Sequence, residues 1–343
     1  MVLNFTRSQS AANAMAYHED HLKQGEYLEA GTVSAVMWQG NEIAKLGLDA
    51  MPVDTRSYGA LIYNVNPAKV ADWEDFDKRL KEVRKRPPPL DLDLVKVGST
   101  VRVPNRGQGH ITALEGAMAT VQMKRSREVV HISLGKLRSP ERQMKLEKGE
   151  RLTGGQRQIP GWDFTFSAPK GVSMLWAAGT QEVEDAFNSA IKTTLSEMEM
   201  FAMTRVRKGG TNQMDEQRFT GNLVWASFVH DAARPVKHAD GSVTVDPHLH
   251  AHVYVHNLTF DSVENEWKAL KNNAIVRKND YWEARFDSLF SRELYRKGIQ
   301  VERRGKSFDI SGLSPKAIAP FSQRTKQVNK LAQTLGFTGK KKA

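Results

Sequence analysis

Alternating hydrophobic and polar side chains mark the strands of this chain. Between residues 162 and 166, Trp162, Phe164 and Phe166 alternate with Asp163 and Thr165, which is typical of a strand with one buried face. Asp163 and Thr165 therefore share the face opposite the three aromatic side chains. Two further strands are predicted, at residues 221–230 and 248–257.

Helical patterns lie on both sides of these strands. Residues 10–24 have helical character, and Ser167 is predicted to cap a short helix that follows the first strand. Longer helices are predicted for residues 180–206 and 281–298. The chain therefore belongs to the mixed α/β class.

A different pattern fills the middle of the chain. Three prolines at positions 87–89 form a stiff spacer that no helix crosses, and short β-like stretches follow with turn signals between them. This pattern predicts an inserted small β domain over residues 92–140, built as an SH3-like barrel. Its predicted strands are residues 99–103, 110–114, 117–123 and 129–134.

Basic side chains are concentrated in the same middle part. The whole chain has 50 Lys and Arg against 39 Asp and Glu, a net charge of +11. Residues 78–157 carry 19 basic and 8 acidic side chains, which equals the whole excess. This excess indicates a polyanionic partner, because net charge governs association and not fold.

The chain contains no cysteine. Disulfides, cysteine-ligated zinc and thiol catalysis are therefore excluded. No apolar run has the length of a membrane span, and no charged-then-apolar leader opens the sequence. We therefore expect a bacterial cytoplasmic protein without membrane insertion.

The candidate metal ligands are histidines of the predicted strand 248–257. His248, His250 and His252 are two residues apart, so they share one face of a strand, where two of them can bind one cation. Imidazole suits Zn, Mn, Fe, Ni and Cu, whereas Mg prefers oxygen ligands. His230, on the preceding strand, is the candidate third ligand. The alternatives are surface or core histidines without a metal, and a purely structural metal site.

Two motifs together resemble a known family. Residues 162–173 read WDFTFSAPKGVS, and residues 220–257 contain TGNLV, HD, LHAH and a final Asn in that order. The combination resembles the MobF-type conjugative relaxases of F-like and W-like plasmids, which belong to the HUH endonuclease superfamily. The similarity continues at residues 267–272 and 321–326.

The resemblance implies a fold and a division into domains. The family has a two-layer α/β domain in which helices flank a five-stranded antiparallel sheet. In this chain the catalytic domain is expected to comprise residues 1–80 and 150–343, with the basic small β domain of residues 92–140 inserted in it.

The resemblance also implies an activity. These relaxases nick one DNA strand at the origin of transfer, oriT, leaving a 5′-phosphotyrosine link and a free 3′-OH, and rejoin the strand at the end of transfer. Their metal histidines correspond to His230, His250 and His252, and the acidic residue beside their tyrosine corresponds to Asp163. His248 has no counterpart in the family pattern, so it is either a competing ligand or a neighbour of the site.

The expected nucleophile is a tyrosine near the N-terminus. The family typically has two adjacent tyrosine pairs there, whereas this chain has single tyrosines, Tyr17 and Tyr27. Tyr17 aligns best with the first pair and is the predicted nucleophile. Tyr27 is the candidate for a second strand transfer, with simple packing as the alternative. Because a phenol titrates near 10, Tyr17 needs help from a carboxylate or a cation.

DNA contacts and partners are implied as well. Arg234 corresponds to the DNA-contacting arginine of the family, and Lys170, Lys268, Lys271 and Arg7 are candidate phosphate contacts. The expected cofactor is a divalent ion, Mg²⁺ or Mn²⁺ in cells, and Zn²⁺, Ni²⁺ and Co²⁺ also suit three histidines. Expected partners are single-stranded and hairpin oriT DNA, accessory relaxosome proteins and the type IV coupling ATPase. The enzyme is expected to enter the recipient cell with the DNA.

Two other interpretations remain open. A rolling-circle replication initiator or transposase of the HUH class shares the His-hydrophobe-His strand, but there the metal strand usually precedes the catalytic tyrosine, whereas here Tyr17 comes first. A basic oriT-binding module without catalysis is the second interpretation, and it predicts that added metal leaves the DNA uncut.

Overall fold

The chain divides into two units, one of which is formed by two separated segments. The first unit comprises Met1–Lys69 and Arg151–Ala343, and the second comprises Val70–Glu150. The computed structural model describes residues 4–7, 11, 14–16, 37–84, 95–104, 106–137, 151–153, 159–206, 216–238, 240–271 and 273–334.

Strands occur in both units. In chain order the described strands are β1 (Asn4–Arg7), β2 (Trp38–Gln39), β3 (Thr100–Val103), β4 (Gly107–Glu115), β5 (Met118–Met123), β6 (Val129–Ser133), β7 (Gly161–Ser167), β8 (Met203–Val206), β9 (Glu216–Phe219), β10 (Trp225–Ala232), β11 (Val236–Lys237), β12 (Val243–Thr244), β13 (Pro247–His256), β14 (Thr259–Asp261), β15 (Glu266–Lys268), β16 (Val301–Arg304) and β17 (Ser307–Ile310).

Helices are longest on the C-terminal side of β7. The described helices are α1 (Thr55–Ile62), α2 (Trp73–Arg84), α3 (Lys170–Ala177), α4 (Gln181–Glu199), α5 (Asn273–Val276), α6 (Asn279–Arg296), α7 (Pro315–Ile318) and α8 (Gln323–Thr334). Residues 11 and 14–16 are also helical, and the rest of the helix predicted at 10–24 lies outside the described residues. Among the described helices, none combines the length and the apolar character that a bilayer crossing requires.

A five-stranded antiparallel sheet forms the centre of the first unit. Its strands lie in the order β1, β7, β13, β10 and β2. The predicted class, a five-stranded antiparallel sheet with flanking helices, is confirmed. The sheet brings β13 between β7 and β10, so side chains from three distant parts of the sequence meet on one face.

The two faces of this sheet differ in what covers them. On one face Trp162, Phe164 and Phe166 pack with α4 and α6 in the main hydrophobic core, which confirms the predicted alternation in β7. On the other face, Tyr254 near the end of β13 packs against Tyr58 of α1 in a second core. The first half of β13 carries the histidines on this second face.

Three local predictions need correction. The helix predicted to reach residue 206 ends at Glu199. The residues that follow form β8, in which Thr204 is buried and Arg205 is exposed, and β8 pairs with β9. Ser167 is not a cap, because it extends β7 and pairs with His250, and Pro169 is the N-cap of α3. The strand predicted from residue 221 begins at Trp225.

The late start of β10 has a local cause. Gly221 has a φ of +68°, a left-handed conformation that interrupts a strand. The side chain of Asn222 accepts a hydrogen bond from the Phe260 backbone N–H at 2.7 Å and donates one to the Phe260 carbonyl at 2.9 Å. These bonds hold the segment in a turn before Trp225.

The second unit contains a separate antiparallel sheet of β3, β4, β5 and β6 in that order. Strands are present at all four predicted positions, and their inward side chains form a core of their own that includes Val101, Ile111 and Val121. The described residues form an open strand order without a β3–β6 pair, so the SH3-like barrel stays a prediction.

Candidate metal centre

Three histidines from two neighbouring strands meet at one point. His230 of β10 lies directly opposite His250 of β13, and His252 follows two residues later on the same face. The ring centroids are separated by 5.2 Å for His230–His250, 5.4 Å for His230–His252 and 5.3 Å for His250–His252. One nitrogen from each ring lies within 4.8 Å of the other two, a spacing that fits a single metal ion.

Hydrogen bonds fix which nitrogen of each β13 ring faces the triangle. Nδ1–H of His250 donates to the carbonyl oxygen of His248 at 2.8 Å. Nδ1 of His252 lies 3.1 Å from Oδ2 of Asp163 on β7 and 3.3 Å from Oγ1 of Thr165. With Nδ1 of both rings engaged as a donor, Nε2 carries the lone pair that a metal ligand needs.

Burial favours the neutral form of His230 and His250. The pKa of His230 is lowered to about 3, first by burial and then by the neighbouring histidines, and burial lowers the pKa of His250 to about 4. Metal binding requires unprotonated imidazole. At neutral pH these rings are therefore ready to bind a cation without first releasing a proton.

His248 lies beside the triangle and not in it. Its ring stacks on that of His250, with centroids 4.4 Å apart and an interplanar angle of 14°. Within the described part of the chain, the group of nitrogens close enough to share an ion contains His230, His250 and His252. The structure thus places His248 as a neighbour that packs against one of these three rings.

Asp163 lies where the alternation of β7 predicts. It is 7% exposed, on the face opposite the aromatic core residues, and the register pairs it with Tyr254 while Thr165 pairs with His252. The carboxylate therefore reaches His252 diagonally across the strand pair. This arrangement is a carboxylate–histidine pair of the kind that orients metal ligands.

Both candidate tyrosines, Tyr17 and Tyr27, lie outside the described residues. The residues just before Tyr17 are informative, because Ala14 is 1% exposed and Met15 is fully buried in the second core. That core lies on the same sheet face as the histidines. The helical residues 14–16 are thus anchored on the histidine side of the sheet.

The candidate DNA contacts occupy different environments. Nζ of Lys170 donates to the carbonyl oxygen of Pro247 at 2.8 Å, immediately before the histidines, and burial lowers the pKa of Lys170. Arg234 is exposed just beyond the end of β10. The backbone of Arg7 pairs with Trp162 in the strand next to Asp163, and its side chain lies outside the described part.

Two of the predicted contacts lie elsewhere. Lys268 on β15 forms ion pairs with the three carboxylates of Asp261, Glu264 and Glu266. The backbone N–H of Lys271 donates to the carbonyl of Met203 at 2.7 Å, beside β8. The structure does not bring these two lysines to the histidine cluster by any described contact.

Asp246 is a buried carboxylate beside the histidine strand that the sequence patterns do not single out. The residue is 5% exposed, its carboxylate accepts a hydrogen bond from the backbone N–H of Arg324 at 3.0 Å, and its backbone carbonyl accepts one from the N–H of Ala233. It thereby connects the start of β13 to α8 and to the end of β10. In the sequence, Asp246 stands out only by its position just before the histidine strand. That position does not predict its contacts with Arg324 and Ala233.

The chain is similar to proteins of one family. The model of the TrwC relaxase family matches residues 11–343. Two relatives are both the multifunctional conjugation protein TraI of Escherichia coli. The protein of strain K12 is 34% identical over 162 residues, which are 46% of this chain and 8% of that protein. The other is 33% identical over 187 residues, which are 51% of this chain and 10% of that protein. The chain thus spans about a tenth or less of the length of these relatives.

Solved structures have the same fold. A conjugative relaxase TrwC in complex with oriT DNA, in a metal-bound form, is similar with a TM-score of 0.62 and 22% identity over 98% of this chain and 85% of that chain. TrwC complexed with a 27-mer DNA comprising the recognition hairpin and the cleavage site has a TM-score of 0.58 and 22% identity, over 98% of this chain and 84% of that chain.

Proposed function

The chain belongs to the TrwC relaxase family, and from this premise we propose that it nicks one DNA strand at an origin of transfer and rejoins it when transfer ends. The proposed substrate is single-stranded oriT DNA with an adjacent hairpin. The observation that carries the proposal is the histidine triangle of His230, His250 and His252, with Asp163 hydrogen-bonded to one of its rings.

The proposed metal centre uses these three imidazoles as ligands. A divalent cation held there would neutralise charge on the scissile phosphate and polarise its phosphorus–oxygen bonds. Mg²⁺ or Mn²⁺ is the proposed ion in cells. An all-nitrogen ligand set binds Mn²⁺, Co²⁺, Ni²⁺ and Zn²⁺ more readily than Mg²⁺, which prefers oxygen.

Asp163 has two proposed roles. By accepting Nδ1–H of His252, it holds that ring in the tautomer and orientation that point Nε2 into the triangle. A carboxylate at this position can also accept the phenolic proton of the attacking tyrosine. Both roles require Asp163 on the histidine face, where β7 places it.

Tyr17 is the proposed nucleophile. Its phenolic oxygen would form a bond to phosphorus while the bond from phosphorus to O3′ breaks, so the 5′-phosphate is linked to Tyr17 and O3′ leaves as a hydroxyl after taking up a proton. The phosphotyrosine bond conserves the energy of the phosphodiester, so the step needs no ATP. Tyr27 is the proposed nucleophile of the second transfer.

Cations around the triangle would bind the DNA strand. Arg234 is exposed at the end of β10, and Lys170 lies beside the first residues of β13. Both are within the sequence motifs that surround the histidines, which supports them as phosphate contacts. Arg7 is proposed on the same grounds from the neighbouring strand β1.

The remaining proposals concern organisation. We assign catalysis to residues 1–80 and 150–343, and a separate role to the basic β domain of residues 92–140. Accessory relaxosome proteins and a type IV coupling ATPase are proposed partners. The proposed location is the bacterial cytoplasm, followed by transfer to the recipient with the DNA.

Metal dependence tests the proposal. Wild-type protein stripped with EDTA should not cut a labelled single-stranded oriT oligonucleotide, and added Mn²⁺ should restore cutting. His250→Ala should lower the nicking rate by about 100-fold or more, because one ligand of the cation is lost. His131→Ala, which removes an exposed histidine of the second unit, is the matched control. Full cutting by the stripped protein would contradict the proposal.

A further inference from the structure

We propose that one end of the small β3–β6 sheet binds the phosphate backbone of duplex DNA, independently of the nicking site. This surface, called the basic end, consists of Arg102, Lys124, Arg125 and Arg127. The structure brings these residues together although they come from two different hairpins. The backbone N–H of Lys124 donates to the carbonyl of Gln108 at 2.9 Å, which joins the β5–β6 turn to the start of β4.

Among the described residues of the second unit, no acidic side chain pairs with the cations of the basic end. Arg106 and Glu128 form an ion pair that spans the β3–β4 and β5–β6 turns. Among the described residues of these two turns, Glu128 is the one acidic side chain, and it is already paired with Arg106. The four cations of the basic end form no ion pair in the described part of the chain. Lys124, Arg125 and Arg127 are exposed and Arg102 is partly exposed.

A polar sheet face continues from this end. Val101, Ile111 and Val121 point into the core, so their neighbours in the alternation point outward. One outward row pairs Arg102 with Gln108, and the next pairs Thr100 with His110 and His110 with Gln122. Oγ1 of Thr100 lies 3.0 Å from Nδ1 of His110. Such a row supplies hydrogen-bonding groups beside the cations, as nucleic-acid backbone contacts require.

The composition of the segment that forms the β3–β6 sheet favours a duplex over a single strand. Proteins that bind single strands stack the bases on aromatic side chains. Residues 95–137 contain no Phe, Trp or Tyr. Without a stacking surface, the cations are left with phosphate contacts, which are independent of sequence and steeply dependent on salt.

The test is the salt dependence of binding to a duplex of unrelated sequence, with the full chain. The double variant Lys124→Gln/Arg125→Gln removes two charges from the basic end. Each lost phosphate contact lowers the slope of log affinity against log salt by about 0.9, so we expect a decrease of up to about 1.8. The matched control Lys96→Gln/Lys136→Gln removes two exposed charges away from the two turns and should keep the wild-type slope. The charge-preserving variant Lys124→Arg/Arg125→Lys should also keep it.

The outcomes separate this proposal from the nicking proposal. Cutting of a single-stranded oriT oligonucleotide should be unchanged in all three variants, whether or not the duplex slope falls. Equal slopes for Lys124→Gln/Arg125→Gln and its matched control would overturn the duplex site and point to an acidic protein as the partner of the basic end. The proposal would also be overturned if Lys124→Gln/Arg125→Gln weakened binding to single-stranded DNA but not to the duplex.

Discussion

The carboxylate of Asp163 lies 3.1 Å from Nδ1 of His252, across the pair of strands β7 and β13. Asp163→Asn should weaken metal binding by about 10-fold to 100-fold, because an outer carboxylate fixes the tautomer and raises the basicity of its histidine. Titration of metal-free protein with Mn²⁺ measures this affinity. Asp287→Asn changes another buried aspartate, on α6, and should leave the affinity as in wild type. Equal affinities for the two variants would contradict the role of Asp163.

The stacking of His248 on His250 leads to a second prediction. His248→Ser should weaken metal affinity by about two-fold to ten-fold, since an aromatic stack contributes about 0.5–1.5 kcal/mol to holding a ring in place. His248→Phe keeps an aromatic face and should retain the wild-type affinity. If His248 were itself a ligand, Phe would be as harmful as Ser, and that result would contradict its position beside the triangle.

Glu199 gives a pH dependence of stability that is separate from the metal centre. It is 1% exposed, and Oε1 accepts the backbone N–H groups of Asn41 and Leu223. Burial raises the pKa of Glu199 from 4.5 to about 7. The folded state therefore keeps a proton that the unfolded state has released between these pH values. As pH rises through this window, the free energy of unfolding falls by up to about 3 kcal/mol.

Glu199→Gln isolates this effect. Gln keeps an oxygen acceptor for Asn41 and Leu223 but does not titrate. As the pH rises from 5 to 8, the free energy of unfolding of the variant should therefore increase relative to that of wild type. Denaturant unfolding at the two pH values measures the difference. Glu182→Gln, an exposed change on the same helix, should follow wild type. A pH dependence of Glu199→Gln equal to that of wild type would show that Glu199 does not carry it.

Lys268 and Lys170 are both predicted as DNA contacts from the sequence, but the structure predicts different effects for their substitution. Lys268→Gln breaks ion pairs with three carboxylates, including the buried Asp261, so it should lower stability by about 1–3 kcal/mol and leave the salt slope of single-strand binding unchanged. Lys170→Gln should lower that slope by about 0.7, the value for one phosphate contact to a single strand. Thermal unfolding and binding at several salt concentrations measure both effects. If instead Lys268→Gln lowered the salt slope and Lys170→Gln did not, Lys268 would be a DNA contact and Lys170 would not.

Local alternation was enough to predict the centre of the site. The side-chain period of two in β7 and β13 placed Asp163 on one face and put His250 and His252 together. His230 was predicted as their partner, and the β10–β13 register sets it directly opposite His250. The orientation of the His252 ring depends on Asp163, a neighbour 89 positions away in the sequence that local patterns do not reveal.

Tertiary contacts explain what local patterns missed. The helix from residue 180 stops at Glu199 because β8 pairs with β9, a hairpin that continuous helical periodicity does not indicate. Lys268 has the sequence surroundings of a DNA contact, but its three carboxylate partners lie around the β14–β15 hairpin. Glu199 is a charged residue at the end of α4, and its burial as an acceptor depends on contacts with Asn41 and Leu223, which are distant in the sequence.

Formation of a covalent link to Tyr17 tests the central claim most directly. A single-stranded oriT oligonucleotide labelled on the 3′ side of the cleavage site should become attached to wild-type protein in the presence of Mn²⁺, and denaturing electrophoresis with mass mapping should locate the link at Tyr17. Tyr17→Phe should form no such adduct, whereas Tyr27→Phe should still form it. An adduct of undiminished yield in Tyr17→Phe would contradict the proposed mechanism.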